Sequence, residues 1–255
     1  MRGLETIIGS RAFTAVKCND LLVPANSLGN YLRSFTEPAL FHTEGMGEFH
    51  LTKSGSLFKF KYKERYFVLT TKHQVTGKNC AYSYEQVCLM DYSANSLVSS
   101  SMVVFPEESS TEGQAYDCLL FEYTTSVTEG KLTPHGWYKL SEIERQYPTP
   151  APILACAIGY PSYRNEINYD TKHFGVSPNI VWGQETNSGM EGRLAFKPLN
   201  EVLFDPSGMS GGPVFGCKLV EEKLVMFFAG VLTNATKKKF NFMPVNRLSG
   251  LLNHS

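Results

Sequence analysis

The stretch Gly208-Met209-Ser210-Gly211-Gly212-Pro213 sets a hydroxyl among glycines. Glycine reaches backbone angles closed to other residues, so such a loop can turn successive amide N–H groups toward one small anionic oxygen. That is an oxyanion hole in outline. A serine hydroxyl is a weak nucleophile alone and needs a base, and the base needs an orienting acid. Ser207 lacks flanking glycines and reads as a turn residue. Of the six histidines, His73 stands at the end of an apolar strand-like run, FVLTTKHQV, where a side chain can emerge toward a cleft. Asp117 opens DCLLFEY, and a carboxylate at the edge of a buried strand needs a partner such as an imidazole N–H. The three occur in the order His, Asp, Ser, with gaps of 44 and 93 residues.

Short strands must carry them. SLFKFKYKERYFVLTT alternates up to Lys63-Glu64 and then resumes as an apolar run, a β-hairpin pattern. Further strands are expected at Val87 to Tyr92, Leu97 to Phe105 and Asp117 to Tyr123. After a proline-punctuated stretch, YPTPAP, they resume in ILACAIGY, RLAF, EVLF, GPVFGCKLV, KLVMFFAGVL and FNFMPV, with a short helix at VNRLSGLLNH. The class is all-β, barrels or a sandwich. Residues 161–192 read as a long polar loop.

Composition narrows the function classes. With 24 Lys and Arg against 24 Asp and Glu in 255 residues, no electrostatic pull toward nucleic acid is expected. The basic run Lys237-Lys238-Lys239 reads as a hairpin tip. No apolar run reaches the ~20 residues of a membrane span, and the amino terminus lacks a signal-peptide core. Six scattered cysteines without a CxxC pair read as reduced core thiols, so the expected location is cytoplasmic, and the sequons at Asn234 and Asn253 would matter only in a secretory route. His42 and His50, with Glu44 and Glu48 between them, lie on no clear helix, and Cys80 with Cys88 lacks the usual short spacing. No metal and no cofactor are expected.

On these segments the chain resembles the chymotrypsin-like (trypsin-like) serine peptidases. Their G-x-S-G-G-P is matched from Gly208 to Pro213, their histidine segment by FVLTTKHQV and their aspartate segment by YDCLLFEY. AIGYP at 157–161 looks like an element of intracellular and bacterial Htr-type members, and GVLTN and FNFMPVNRL look like the strands that close the second barrel. The resemblance implies a double six-stranded antiparallel β-barrel with a short C-terminal helix. It divides the chain into a lead-in at 1–48, a first barrel at 49–125, a connector at 126–152 and a second barrel at 153–255. It implies that His73 takes the Ser210 proton, that Asp117 holds the imidazole tautomer, and that the N–H groups of Gly208 and Ser210 bind the oxyanion. The implied substrate pocket has Phe204 or Asp205 at its floor and Gly230 and Val231 in its wall. Met209 stands where secreted members carry the aspartate that pairs with a newly cut amino terminus, so that activation route is not expected, and IIGS at 7–10 is a chance likeness to their activation sequence.

The expected function is serine endopeptidase, acting on protein or peptide substrates through an acyl-enzyme. A different class is a peptidase-like module that captures peptides or a protein partner without cleaving them. The serine also fits the G-x-S-x-G elbow of α/β hydrolases, but Pro213-Val214-Phe215 is a poor helix start and His254 is the sole later histidine. If Asp117 is not the orienter, Asp91 is the next candidate acid.

Overall fold

The computed structural model describes residues 15–43, 51–76, 83–91, 96–105, 117–142, 144, 152–164, 166–168, 170–171, 173–248 and 250–251. A hairpin of β1 (Ala15–Cys18) and β2 (Leu21–Pro24) leads into a short helix, α1 (Leu28–Arg33), and then into β3 (Thr36–His42). The alternating run becomes a long hairpin, β4 (Leu51–Tyr62) and β5 (Arg65–Thr71), followed by a single helical turn, α2 (Lys72–Thr76). The hairpin reverses at Lys63 and Glu64, both with left-handed φ (46° and 63°), the conformation that a two-residue turn between twisted strands requires. Next come β6 (Val87–Asp91), β7 (Ser96–Ser99), β8 (Met102–Val104) and β9 (Cys118–Glu122). These strands form one sheet in the order β7-β6-β3-β4-β5-β9-β8.

A helical turn, α3 (Thr124–Thr128), and a two-residue strand, β10 (Tyr138–Lys139), occupy the connector, and β10 pairs in parallel with β4. The second half holds β11 (Leu154–Gly159), a small separate ribbon of β12 (Glu166–Asn168) and β13 (His173–Gly175), then β14 (Asn179–Thr186) and β15 (Leu194–Pro198). It ends with β16 (Pro213–Val220), β17 (Lys223–Ala235) and β18 (Phe240–Pro244). The order β16-β11-β14-β15-β18-β17, with β17 paired back onto β16, closes a six-stranded barrel. Closure leaves no free edge in that ring. The β1–β2 hairpin attaches to it, β1 lying parallel to β17.

The all-β double-barrel expectation therefore holds, with a closed ring in the second half and an open eight-stranded sheet, β10 included, among the described residues of the first. Several local expectations are corrected. The first sheet begins at β3, upstream of residue 49, and β1 belongs to the second sheet. Residues 161–192 are not one loop, since β14 runs through them. EVLF is not a strand: Leu203 is 81% exposed there, and Pro206 follows. The terminal segment makes a 3₁₀ turn over Val245–Leu248, and Gly250 and Leu251 beyond it are helical.

Among the described residues, three large apolar clusters hold the molecule, beside a small one at Leu40, Leu51 and Cys88. One fills the first barrel around Phe41, Val68, Leu119 and Phe121, and another fills the second around Phe196, Val214, Phe240 and Met209. The third lies on the seam, where Phe58 of β4 stacks on Phe228 of β17 with ring centroids 4.3 Å apart. Phe215 and Tyr138 pack beside them. Stacked aromatic pairs add about 0.5–1.5 kcal/mol beyond their buried area, so the two halves share a core rather than merely touch. No helix among the described residues is long and apolar enough to cross a membrane.

Candidate active site

The β5–β9 ladder continues one residue beyond β5, where Lys72 N–H donates to the Asp117 carbonyl at 3.0 Å. The chain then turns into α2, which brings His73 over the carboxylate at the start of β9. Asp117 holds both parts of His73: its Oδ1 accepts the His73 backbone N–H at 3.0 Å, and its Oδ2 bonds Nδ1 of the ring. The imidazole side chain is 42% exposed and the carboxylate 22%, so the pair sits at the surface of a cleft with its acid partly shielded. Asp117, not Asp91, is the acid that meets His73.

Ser210 lies on the second half, in a loop whose hydrogen bonds can be accounted for amide by amide. Met209 N–H donates to Pro206 O at 3.0 Å, Gly211 N–H to Leu232 O at 2.8 Å and Gly212 N–H to Met209 O at 3.1 Å. The N–H groups of Gly208 and Ser210 have no partner among the described residues. These are the two amides expected to bind an oxyanion. Gly208 takes φ +91°, a backbone conformation that side-chain-bearing residues rarely adopt. Met209 is fully buried in the second barrel's core and anchors the loop by apolar packing.

One residue of the first half secures this loop. Ser56, fully buried on β4, donates its N–H to Ser210 O at 3.0 Å and its hydroxyl to Gly208 O at 2.9 Å. Its Oγ accepts Tyr160 N–H at 2.8 Å, and its carbonyl accepts the Thr70 hydroxyl at 2.8 Å. Thus all of its polar groups are satisfied: two bonds reach the serine loop, a third reaches Tyr160 of the second half, and the fourth stays within the first. Nearby, Lys53 of β4 donates through Nζ to Tyr160 O at 2.7 Å, and burial pushes its amine down to about 7.

Ser210 and His73 are each satisfied on their own side. Ser210 Oγ donates to Thr233 O on β17 at 3.3 Å, while His73 Nε2 lies 3.2 Å from the carboxamide nitrogen of Gln74. No hydrogen bond joins Ser210 to His73.

The pocket residues part company. Phe204 is half-buried, packs against the second core and stacks on Tyr163 at 5.7 Å. Asp205 is exposed and turns back to accept both the N–H and the hydroxyl of Ser207, bonds that hold its carboxyl below the usual range. Gly230 and Val231 are buried within the barrel wall, and Val231 joins the seam core. The residue of β17 that meets Ser210 is Thr233.

Sequence reading missed Ser56, Gln74, Tyr160 and Thr233 as parts of the site. A Gly-Ser step at Gly55-Ser56 inside an alternating strand was the available signal for the first. Among the described residues no group of three His, Cys, Asp or Glu side chains could hold a metal ion, and Cys18, Cys88, Cys118, Cys156 and Cys217 are buried free thiols. His50, Cys80 and His254 lie outside the described residues.

No protein-family model matches the chain, and no curated protein does. Solved structures do match. Human heparin binding protein is 13% identical over 88% of this chain and 94% of its own, with a TM-score of 0.52. The protease Anisep from Arthrobacter nicotinovorans is 12% identical over 95% of this chain and 96% of its own, with a TM-score of 0.48. The likeness establishes a chymotrypsin-like fold. It gives no support for a particular nearness to Htr-type members.

Proposed function

We propose that the chain is a serine endopeptidase in which Ser210 attacks the scissile carbonyl, His73 takes and returns the proton, and Asp117 keeps Nδ1 protonated. The observation that carries this reading is the pairing of Asp117 with His73 through Nδ1, which leaves Nε2 as the basic atom. The two uncommitted N–H groups of Gly208 and Ser210 support it from the other side of the cleft. In the acylation step the Ser210 oxygen bonds the carbonyl carbon, the carbonyl oxygen becomes an oxyanion facing those amides, and the proton moves to Nε2. Collapse expels the amine, which receives that proton, and a water repeats the sequence to release the acid. The substrate is a protein or peptide. Balanced charge offers no pull toward a polyanion such as the heparin for which the human neighbour is named. Five buried free thiols fit a reducing compartment, the cytoplasm.

A second reading has one observation in its favour. Ser210 Oγ faces Thr233 O rather than His73, as it would in a module that binds peptides without cutting them. Treatment of the folded protein with a fluorophosphonate, followed by peptide mass mapping, separates the two. An adduct on Ser210 supports the peptidase; a folded protein that never gains one is the binding module.

A further inference from the structure

Gln74, next to the catalytic histidine, sits in a slot made for it. Gly55 faces it with φ +94°, and a Cβ on Gly55 would fall 2.5 Å from Gln74 Oε1, 2.6 Å from Cδ and 2.8 Å from Cγ. Ser54, the preceding residue of β4, lies with its hydroxyl 3.2 Å from Oε1. On the far side, the carboxamide nitrogen lies 3.2 Å from His73 Nε2.

Donors and acceptors settle the direction of this chain. The Asp117 carboxylate can only accept, so Nδ1 of His73 carries the proton and Nε2 of the neutral ring is a bare acceptor. Gln74 must then present its NH₂ to the ring, which turns its oxygen toward Ser54, whose hydroxyl donates to it. The run Ser54 Oγ–H to Gln74 Oε1, Gln74 Nε2–H to His73 Nε2, and His73 Nδ1–H to Asp117 is consistent at every link. The lone pair that must take the Ser210 proton is already occupied.

We infer that Gln74 is a positioning residue that closes the resting site. Its carboxamide fixes His73 in the tautomer of a base while it blocks the basic atom, and it must swing away before Ser210 can hydrogen-bond to Nε2. The Ser210 hydroxyl, parked on Thr233 O, is the other half of the same resting state. The inference rests on the peptidase reading, but the hydrogen bond at its centre can be read without activity.

The test uses the full chain, labelled with ¹⁵N-histidine, in three variants: Gln74→Ala, Gln74→Asn, whose side chain is too short to reach the ring, and Ser54→Ala, which removes the anchor and keeps the carboxamide. Long-range ¹H–¹⁵N spectra report the His73 Nε2 resonance, and the rate of Ser210 labelling by a fluorophosphonate reports access to the base. We expect the Nε2 resonance to move in both Gln74 variants. Labelling should become about 3–10-fold faster in them, the worth of one neutral hydrogen bond, with Ser54→Ala in between. Equal labelling rates with an unmoved resonance, or slower labelling without Gln74, would overturn the inference. Failure of every form to label would sink the peptidase reading and the gate with it. A moved resonance in that case would still show that the Gln74–His73 bond exists.

Discussion

The two barrels hold their shares of the site in different ways. The second barrel is a closed ring, and its serine loop is bonded at Pro206, Met209, Gly212 and Leu232 and plugged by the buried Met209. The first half is, among the described residues, an open eight-stranded sheet in which His73 rides on a five-residue helical turn beyond the end of β5, with a partly exposed ring and a side-chain neighbour that can rotate. The Ser210 loop is held mainly by backbone bonds, the His73 ring by side chains. On the proposed peptidase reading, a rigid oxyanion loop needs no reorganisation at the moment of reaction, whereas His73 must release one partner and take another.

The largest expected effect comes from removing the nucleophile. Ser210→Ala should abolish labelling and lower turnover by roughly 10⁶-fold, with an unchanged melting temperature, because Oγ makes one bond, of 3.3 Å, to Thr233 O. Asp117→Asn comes next, at about 10⁴-fold in kcat, since an asparagine leaves the imidazole in the wrong tautomer. A loss far smaller than that would mean that the backbone orients His73 without the Asp117 carboxylate, and the side-chain-held picture of the first barrel would fail. Ser56→Ala tests the rigid side. It removes the hydroxyl that donates to the Gly208 carbonyl and accepts the Tyr160 N–H, so urea titration should show a loss of about 1–3 kcal/mol, together with reduced turnover as the Gly208 peptide loosens. If stability fell and turnover did not, the loop would be held by its own barrel alone.

The smallest effect concerns the other bridge from β4. The Lys53 amine is pushed down to about 7 by burial, whereas in the unfolded chain it titrates near 10.4. Between those values the unfolded chain holds a proton that the folded one has lost. Stability contributed by Lys53 should therefore rise with pH across that window, and below about 7 both states are protonated and the penalty is constant. Denaturation at pH 7 and pH 9.5 should show a gain on the order of 1–2 kcal/mol in the parent that Lys53→Met lacks. Parallel curves for the two proteins would remove Lys53 from the account.

What could be read in the sequence divides along the same line. The pairing of His73 with Asp117 was legible because a carboxylate at the edge of a buried strand needs a donor, and the glycines of the serine loop because they constrain backbone angles. The strand β14 was hidden, since NIVWGQET is only half-buried and lies in a polar stretch. Leu203 and Phe204 misled in the opposite sense, as apolar residues in a loop where one is exposed and the other stacks on Tyr163. Gly230 and Val231 are buried in the barrel wall, and Thr233 is where β17 reaches Ser210. Ser56 and Gln74 could not be found by pattern. Their roles depend on which side chains lie across the seam and the cleft, and no local spacing encodes that.

The β1–β2 hairpin has a further consequence. It precedes the first barrel in the chain yet is hydrogen-bonded to β17 of the second, and Asn19 and Asp20 at its turn bond Lys139 of the connector. A polypeptide divided between the barrels would yield two pieces, the first of which carries an arm built into the second. Produced separately, such pieces should find each other and reassemble, giving a split protein whose reunion would be reported by the return of the joint site.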